Sequence, residues 1–354
     1  MINYPIEFRA AVLVKNKKPL KIDDIVFDGP LETGQILVKV LYSGICGKQI
    51  EEIEGLGGHD PYIPHMLGHE ATALVEDIGP GVTKVKAGDI VVLLWMKGSG
   101  IQSNAPYYKN KKNNSTVNAG WVTTFNEFSV VSENRVTKIN KNENLITSAL
   151  FGCAATTGPG VIFNQAEIKP SDDVVVYGVG GVGIFVIQAA KLMNPKSLIA
   201  IDINDKSLKM AKDMGATNII NPIKSDVIQE VKNLTNDNGA SKVIIVTGSK
   251  EGVEMGIEVA ACPADVYLVG VPPKEEKVEI DAWKVMHKRN LHGSLGGEIN
   301  PDSDIHKYMS LFNKGLLPID KTITKIFPFD EINNAINTMK SDNPGRVIIK
   351  FDED

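Results

Sequence analysis

The stretch Asp173-Val174-Val175-Val176-Tyr177-Gly178-Val179-Gly180-Gly181-Val182-Gly183 decides the fold. Three valines and a tyrosine in succession read as a buried strand. The glycines that follow match G-x-G-x-x-G directly ahead of a run with helical spacing over 181–193. Such a match gains meaning from its place at a strand-to-helix turn and from Asp202, which closes the next strand about 20 residues further on. Gly178 permits the tight turn, Gly180 lets the backbone approach a pyrophosphate, and Gly183 allows close contact between helix and strand. The positive end of the helix dipole then faces the phosphates. Gly181 and Val182 belong to the same cofactor-binding turn. A carboxylate at Asp202 accepts hydrogen bonds from both ribose hydroxyls of NAD and repels a 2′-phosphate, so NAD is expected over NADP; Lys206 is the one nearby cation that could pair with that phosphate.

Outward from this turn the same rhythm continues. Strands are expected at 198–202, 242–247 and 266–271, and helices at 206–214, 226–235 and 252–260. Alternation of this kind predicts βαβ units on a doubly wound parallel sheet. The last fifty residues add helical patterns at 305–314 and 330–339 and a final strand at 346–351. The first 150 residues read differently. Apolar, β-branched runs at 10–14, 36–42, 71–78, 90–94 and 127–131 are separated by Asp28-Gly29-Pro30, Gly79-Pro80-Gly81 and Ala87-Gly88-Asp89, the pattern of a small β-barrel or sandwich. The segment 97–119 is polar and aperiodic and is expected to be a long loop.

Composition removes other classes. The chain has 354 residues, 43% hydrophobic and 23% charged, with a net charge of −5. Its one Lys-dense stretch, 109–112, is diluted by Asn, so there is no basic footprint for nucleic acid. No apolar run is long enough to span a bilayer, and residues 1–10 have no secretory pattern. A cytoplasmic protein with no membrane or nucleic-acid partner is expected. Three cysteines make no disulfide framework and fit a reducing compartment, where thiols act as ligands, nucleophiles or buried fillers.

Two of these cysteines lie in distinctive surroundings. Cys46 stands in Ser43-Gly44-Ile45-Cys46-Gly47, Cys153 in Gly152-Cys153-Ala154-Ala155-Thr156-Thr157-Gly158, and between them comes Gly68-His69-Glu70. Two thiolates and an imidazole are a ligand set for catalytic zinc, which keeps a fourth position open. With the nucleotide turn, Gly88-Asp89, the 293–297 Gly-Ser-Leu-Gly-Gly run and Gly345-Arg346-Val347, the whole chain resembles the zinc-dependent medium-chain alcohol dehydrogenases. The resemblance implies a GroES-like β-barrel catalytic domain at 1–154, a Rossmann domain at 155–298 and a return to the catalytic domain at 299–354. It implies Cys46, His69 and Cys153 as zinc ligands with Glu70 as an alternative ligand, and Thr157 against the nicotinamide ring. Val271, at the end of its strand, joins the cofactor-binding set. A homodimer or homotetramer is implied as well. Cys262, which matches no family role, is expected to fill the core.

Two departures from the family pattern bear on chemistry. Many relatives hold a structural zinc on four closely spaced cysteines; no Cys occurs between 47 and 152 here, so one catalytic zinc and no structural zinc are expected. Where the family usually has Ser or Thr two residues after the first ligand, this chain has Lys48, and where an Asp often orients the ligand His it has Gln49. Lys48 either snorkels to solvent, acts as a base toward the substrate hydroxyl with Glu51 leading the proton outward, or grips an anionic substituent. The expected activity is hydride transfer between NAD and a small-molecule alcohol or carbonyl substrate, tilted toward a sugar, polyol or other polar alcohol. The competing readings are a zinc-free quinone or enone reductase on the same fold and a noncatalytic nucleotide-binding relative.

Overall fold

The structure, a computed structural model, describes residues 2–273, 276–341 and 345–351. The expected C-terminal return therefore lies outside the described residues at 342–344 and 352–354, as does Met1 of the N-terminal reading. Strand Asp173–Tyr177 falls where the sequence places it and sits inside a six-stranded parallel sheet. The spatial order is Asn218–Ile220, Ser197–Ile201, Asp173–Tyr177, Ala240–Ile245, Ala260–Leu268, Arg289–Gly293. The chain winds one way from the central strand and then the other, so a crevice opens at the carboxyl ends where the order reverses. Strands Asp173–Tyr177 and Ser197–Ile201 are buried along their whole length, as a sheet covered on two faces requires. Helix Gly183–Leu192 is buried over its first eight residues, which explains why its sequence is apolar all round. Helix Asp205–Met214 is amphipathic instead. Asn204 caps it, its Oδ1 accepting from Lys206 N at 2.8 Å and Ser207 N at 3.2 Å, and Gly215 ends it.

The N-terminal residues build two further sheets. Strand Gln35–Gly44 pairs along one edge with Ala71–Ile78. It shares its other edge between Phe128–Ser132, opposite 35–39, and the C-terminal strand Arg346–Lys350, opposite 42–44. The chain thus returns to its first sheet after completing the parallel one. The second sheet runs His65–Met66, Ile6–Leu13, Lys21–Phe27, Tyr108–Asn110, Thr116–Val117. Inward residues such as Leu13, Ile36, Val38, Val40 and Leu93 form a common core, each full burial of this kind stabilising by about 1.5–3 kcal/mol.

Two expectations need correction. The segment 97–119 is not loop throughout: strand Tyr108–Asn110 pairs with Lys21–Phe27 and strand Thr116–Val117 with Tyr108–Asn110, and buried Tyr108 accepts a hydrogen bond from Val130 N at 2.8 Å. Strands of three and two residues are too short to show a period. Cys262 is exposed and not core filler. It lies in Ala260–Leu268 beside a shift in register against Ala240–Ile245, and with Pro263 it faces outward. Among the described residues no single helix is long and apolar enough to cross a membrane.

Candidate active site

Cys46 follows strand Gln35–Gly44 and stands extended at the start of helix Gly47–Glu54, which closes on Gly55 in the left-handed region. Gln49, three residues in, reaches back so that its Oε1 accepts from Cys46 N at 2.9 Å, half of a capping box. The amino end of the same amide meets His69 Nδ1 at 2.5 Å. His69 is set by the turn before it: Gly68 has φ +91°, and a Cβ there would lie 2.2 Å from Thr124 Oγ1. Cys153 comes from the far side, at the start of helix Ala154–Gly160, where its carbonyl accepts from Thr157 N at 3.0 Å and Thr157 Oγ1 at 2.9 Å.

These three residues converge, with their ligand atoms all within 4.8 Å of one another. Bonds of about 2.0–2.3 Å around a tetrahedral zinc put its ligands roughly 3.5–3.8 Å apart, so the cluster needs only a small contraction. His69 Nε2 is buried and without a hydrogen-bond partner, an orphan that a metal would satisfy. The Cys153 thiol donates to the Cys46 sulfur, and this, with His69 alongside, holds Cys46 well below the ordinary thiol range against the opposing effect of burial. The same contact, together with burial, pushes Cys153 well above it. Burial disfavours charge on His69, yet the Cys46 sulfur, Glu70 and Glu52 outweigh it and raise its pKa. Two cysteine sulfurs, one of them readily deprotonated, beside an imidazole whose Nε2 lacks a partner are a donor set suited to zinc.

Glu70 does not join the cluster. It is fully buried and paired with Arg346, whose guanidinium is 1% exposed. Burial pushes the Glu70 carboxyl up while Arg346 draws it the other way. Arg346 also reaches the nucleotide turn, since a Cβ at Gly181 would meet its Nη1 at 2.8 Å.

A cleft of about 700 Å³ runs along that turn, bordered by Gly178, Gly180, Gly181, Val182 and Asp202, and it extends to Cys46, Lys48 and Glu51. Gly178 has φ +88°, and a Cβ on Gly183 would lie 2.0 Å from Gly178 O; a Cβ on Gly180 would meet nothing, which leaves its backbone open to a ligand. Asp202 Oδ2 accepts from Val179 N at 2.8 Å and Oδ1 from Asn204 N at 2.9 Å. Burial pushes its carboxyl up and prevails over these bonds. Thr157 is buried near Cys153 and does not line the cleft, nor does Val271, which is 61% exposed. Lys48 Nζ is 2.8 Å from Glu51 Oε2, and both side chains are partly exposed, so the ammonium already has an anionic partner. A second cavity of about 380 Å³ is bordered by Gln49, Glu52, His69, Trp95, Trp121 and Arg135, among others.

Comparison with known proteins places this arrangement. A family model described as "Alcohol dehydrogenase GroES-like domain" matches residues 32–141 and one described as "Zinc-binding dehydrogenase" matches 181–314, together more than half of the chain. The chain belongs to the zinc-dependent medium-chain dehydrogenase family. Alcohol dehydrogenase 1 of Pisum sativum is 29% identical over 98% of both chains. A benzyl alcohol dehydrogenase from Acinetobacter calcoaceticus matches with TM-score 0.88 and 25% identity, covering 98% of this chain and 100% of that one. An alcohol dehydrogenase zinc-binding domain protein from Burkholderia ambifaria shares the fold with TM-score 0.90 at 23% identity, over 99% and 100% of the two chains. The parallel sheet is thus the Rossmann part of a medium-chain dehydrogenase and the N-terminal sheets its GroES-like part. Within that frame, sequence reasoning quoted Arg346 only as part of the Gly345-Arg346-Val347 motif, with no role at the site, and did not single out Arg135. An Arg opening an apolar strand was the available signal for the first; the second, on a polar turn, gave none.

Proposed function

We propose that this protein is a zinc-dependent dehydrogenase that moves hydride between NAD and a polar alcohol or its carbonyl. The observation that carries this reading is the position of the cysteine–histidine cluster between two cavities: Cys46 borders the nucleotide cleft and His69 borders the second cavity. A nucleotide in one and an alcohol in the other would meet beside the metal. Cys46, His69 and Cys153 would hold zinc, which when bound supplies a Lewis acid that polarises the substrate oxygen. NAD supplies the hydride acceptor. The amides of the 178–183 turn and the N-terminus of helix Gly183–Leu192 would bind its pyrophosphate, and Asp202 its adenosine ribose, for which the remaining acceptor capacity of both carboxylate oxygens is available. Lys48 and Glu51 border both the nucleotide cleft and a third, outer cavity of about 590 Å³. Lys48 would take the substrate proton and Glu51, paired with it, would lead the proton outward to water. The polar character of this entrance supports a polyol or sugar over an aliphatic alcohol. The exposed edge strand Arg289–Gly293, with Trp283 and Met286 uncovered nearby, supports a homo-oligomer.

One zinc per chain is part of the reading, because no Cys lies between residues 47 and 152, where relatives hold a structural zinc. The test is a screen of sugars, polyols and simple alcohols with NAD and with NADP, run with zinc quantification. NAD-linked oxidation that is lost on chelation and restored by one equivalent of zinc is expected; full activity in metal-stripped protein would overturn it. Hydride transfer with an enone in the absence of metal would instead favour the quinone-reductase reading.

A further inference from the structure

Arg135 ends the short 3-10 turn Glu133–Arg135 and leads into strand Val136–Ile139. Its backbone is tied to the barrel, the carbonyl accepting from Leu94 N at 3.1 Å. Its side chain is 7% exposed and lies over the Trp121 ring, 5.8 Å from the centroid. The Nε is buried without any hydrogen-bond partner, and no ion pair reaches the guanidinium among the described residues. Burial alone bears on its charge and lowers its pKa. Three other buried or half-buried cations are handled differently: Arg346 has Glu70, Lys84 has Asp302 and Lys242 has Asp265. Taking a guanidinium out of water without a counter-ion is costly unless an anion arrives to meet it.

Arg135 borders the cavity of about 380 Å³ that His69 also borders. At ~30 Å³ per water-sized group the space holds on the order of a dozen groups, room for a short-chain alcohol and a charged substituent. Glu52 borders it too; burial pushes its carboxyl up, against the pull of His69, His65 and Lys48. An anionic substituent would be drawn to Arg135, in a cavity that His69 also borders. Lys48, the other cation that could grip such a group, is already taken by Glu51.

We propose that Arg135 anchors an anionic group, a carboxylate or a phosphate monoester, carried by the alcohol this protein acts on. The inference rests on the reading above, in which the cavity beside His69 receives the substrate. The planar fork of Arg135 binds two oxygens of such a group at once, which a lysine cannot do, and stacking on Trp121 keeps the fork oriented.

The test is equilibrium binding to zinc-loaded protein saturated with NADH, so that the nucleotide cleft cannot take up the anion. The probes are glycerate, glycerol 3-phosphate and glycerol, titrated calorimetrically against wild type, Arg135→Gln and Arg135→Lys. Wild type is expected to bind at least one of the two anions tenfold or more tightly than glycerol, glycerate leading if the group is a carboxylate and glycerol 3-phosphate if it is a phosphate. Arg135→Gln is expected to bring that ratio close to one, and Arg135→Lys to leave it intermediate. Equal affinity for anions and glycerol in wild type overturns the proposal, as does a preference that survives Arg135→Gln. Should Arg135→Gln not fold, the wild-type ratio and its partial loss in Arg135→Lys decide. Anion preference with no oxidation of any alcohol in the screen would remove the dehydrogenase reading and keep the anchor; oxidation of neutral alcohols with no anion preference would do the reverse.

Discussion

Gln49 serves two neighbours with one amide. Its oxygen is held by Cys46 N–H, so its amino group is what faces His69 Nδ1. Metal binding at Nε2 leaves the proton on Nδ1, and then two donors face each other. Zinc binding therefore requires the amide to turn and give up its bond to Cys46. A glutamate of the same shape offers an acceptor to both. Gln49→Glu is expected to tighten zinc by about tenfold or more, the scale on which such partners act, measured by competition with a chromogenic chelator; unchanged or weaker binding would remove this account. The substitution at 49 was legible in the sequence, as were Cys46, His69 and Cys153, because each lies in a glycine-flanked motif whose spacing has few other uses. Which end of the amide meets the histidine was not legible, since it depends on the helix start that turns Cys46 N–H toward it.

At the level of elements, the turn Glu133–Arg135 ties together the segments on either side of strand Ile90–Leu93. The Glu133 carboxylate accepts from Ile101 N at 2.7 Å, Thr83 N at 2.7 Å and Lys84 N at 2.9 Å. Burial opposes its charge, but these bonds and Lys84 outweigh it and hold its carboxyl below the usual carboxylate range. A depressed folded pKa stabilises at pH values above the unfolded one, about 4.3 for Glu, and that contribution is lost as pH falls from there through the folded value. Glu133→Gln is thus expected to cost about 1.5–3 kcal/mol at neutral pH in urea unfolding, with the gap to wild type narrowing below about pH 4. A gap that stays constant down to pH 3 would contradict it. The strands around the nucleotide turn were legible because they are fully buried and uninterrupted. Tyr108–Asn110 was not, because its place is decided by a partner strand some eighty residues earlier and by one buried tyrosine.

Across the whole molecule, Arg346 is where the parts meet. It begins the C-terminal strand, pairs with Glu70 beside the cysteine–histidine cluster and packs under Gly181 of the nucleotide turn. Arg346→Met leaves Glu70 buried and unpaired, and the expected loss is about 3–5 kcal/mol of unfolding free energy. Adding Glu70→Gln should recover part of it, since the charge that needed a partner is gone; a double variant as unstable as the sum of the singles would show that the pair is not coupled. The same strand lies against the residues that lead into Cys46: Ile348 is opposite Gly44, and Ile45 N donates to Val347 O at 3.1 Å. During synthesis, every strand of the parallel sheet has left the ribosome before this strand appears, and domains fold as their chain emerges. The nucleotide-binding sheet can therefore assemble while the first sheet still lacks the strand that lies beside Cys46, so the surroundings of that cysteine are completed after the parallel sheet.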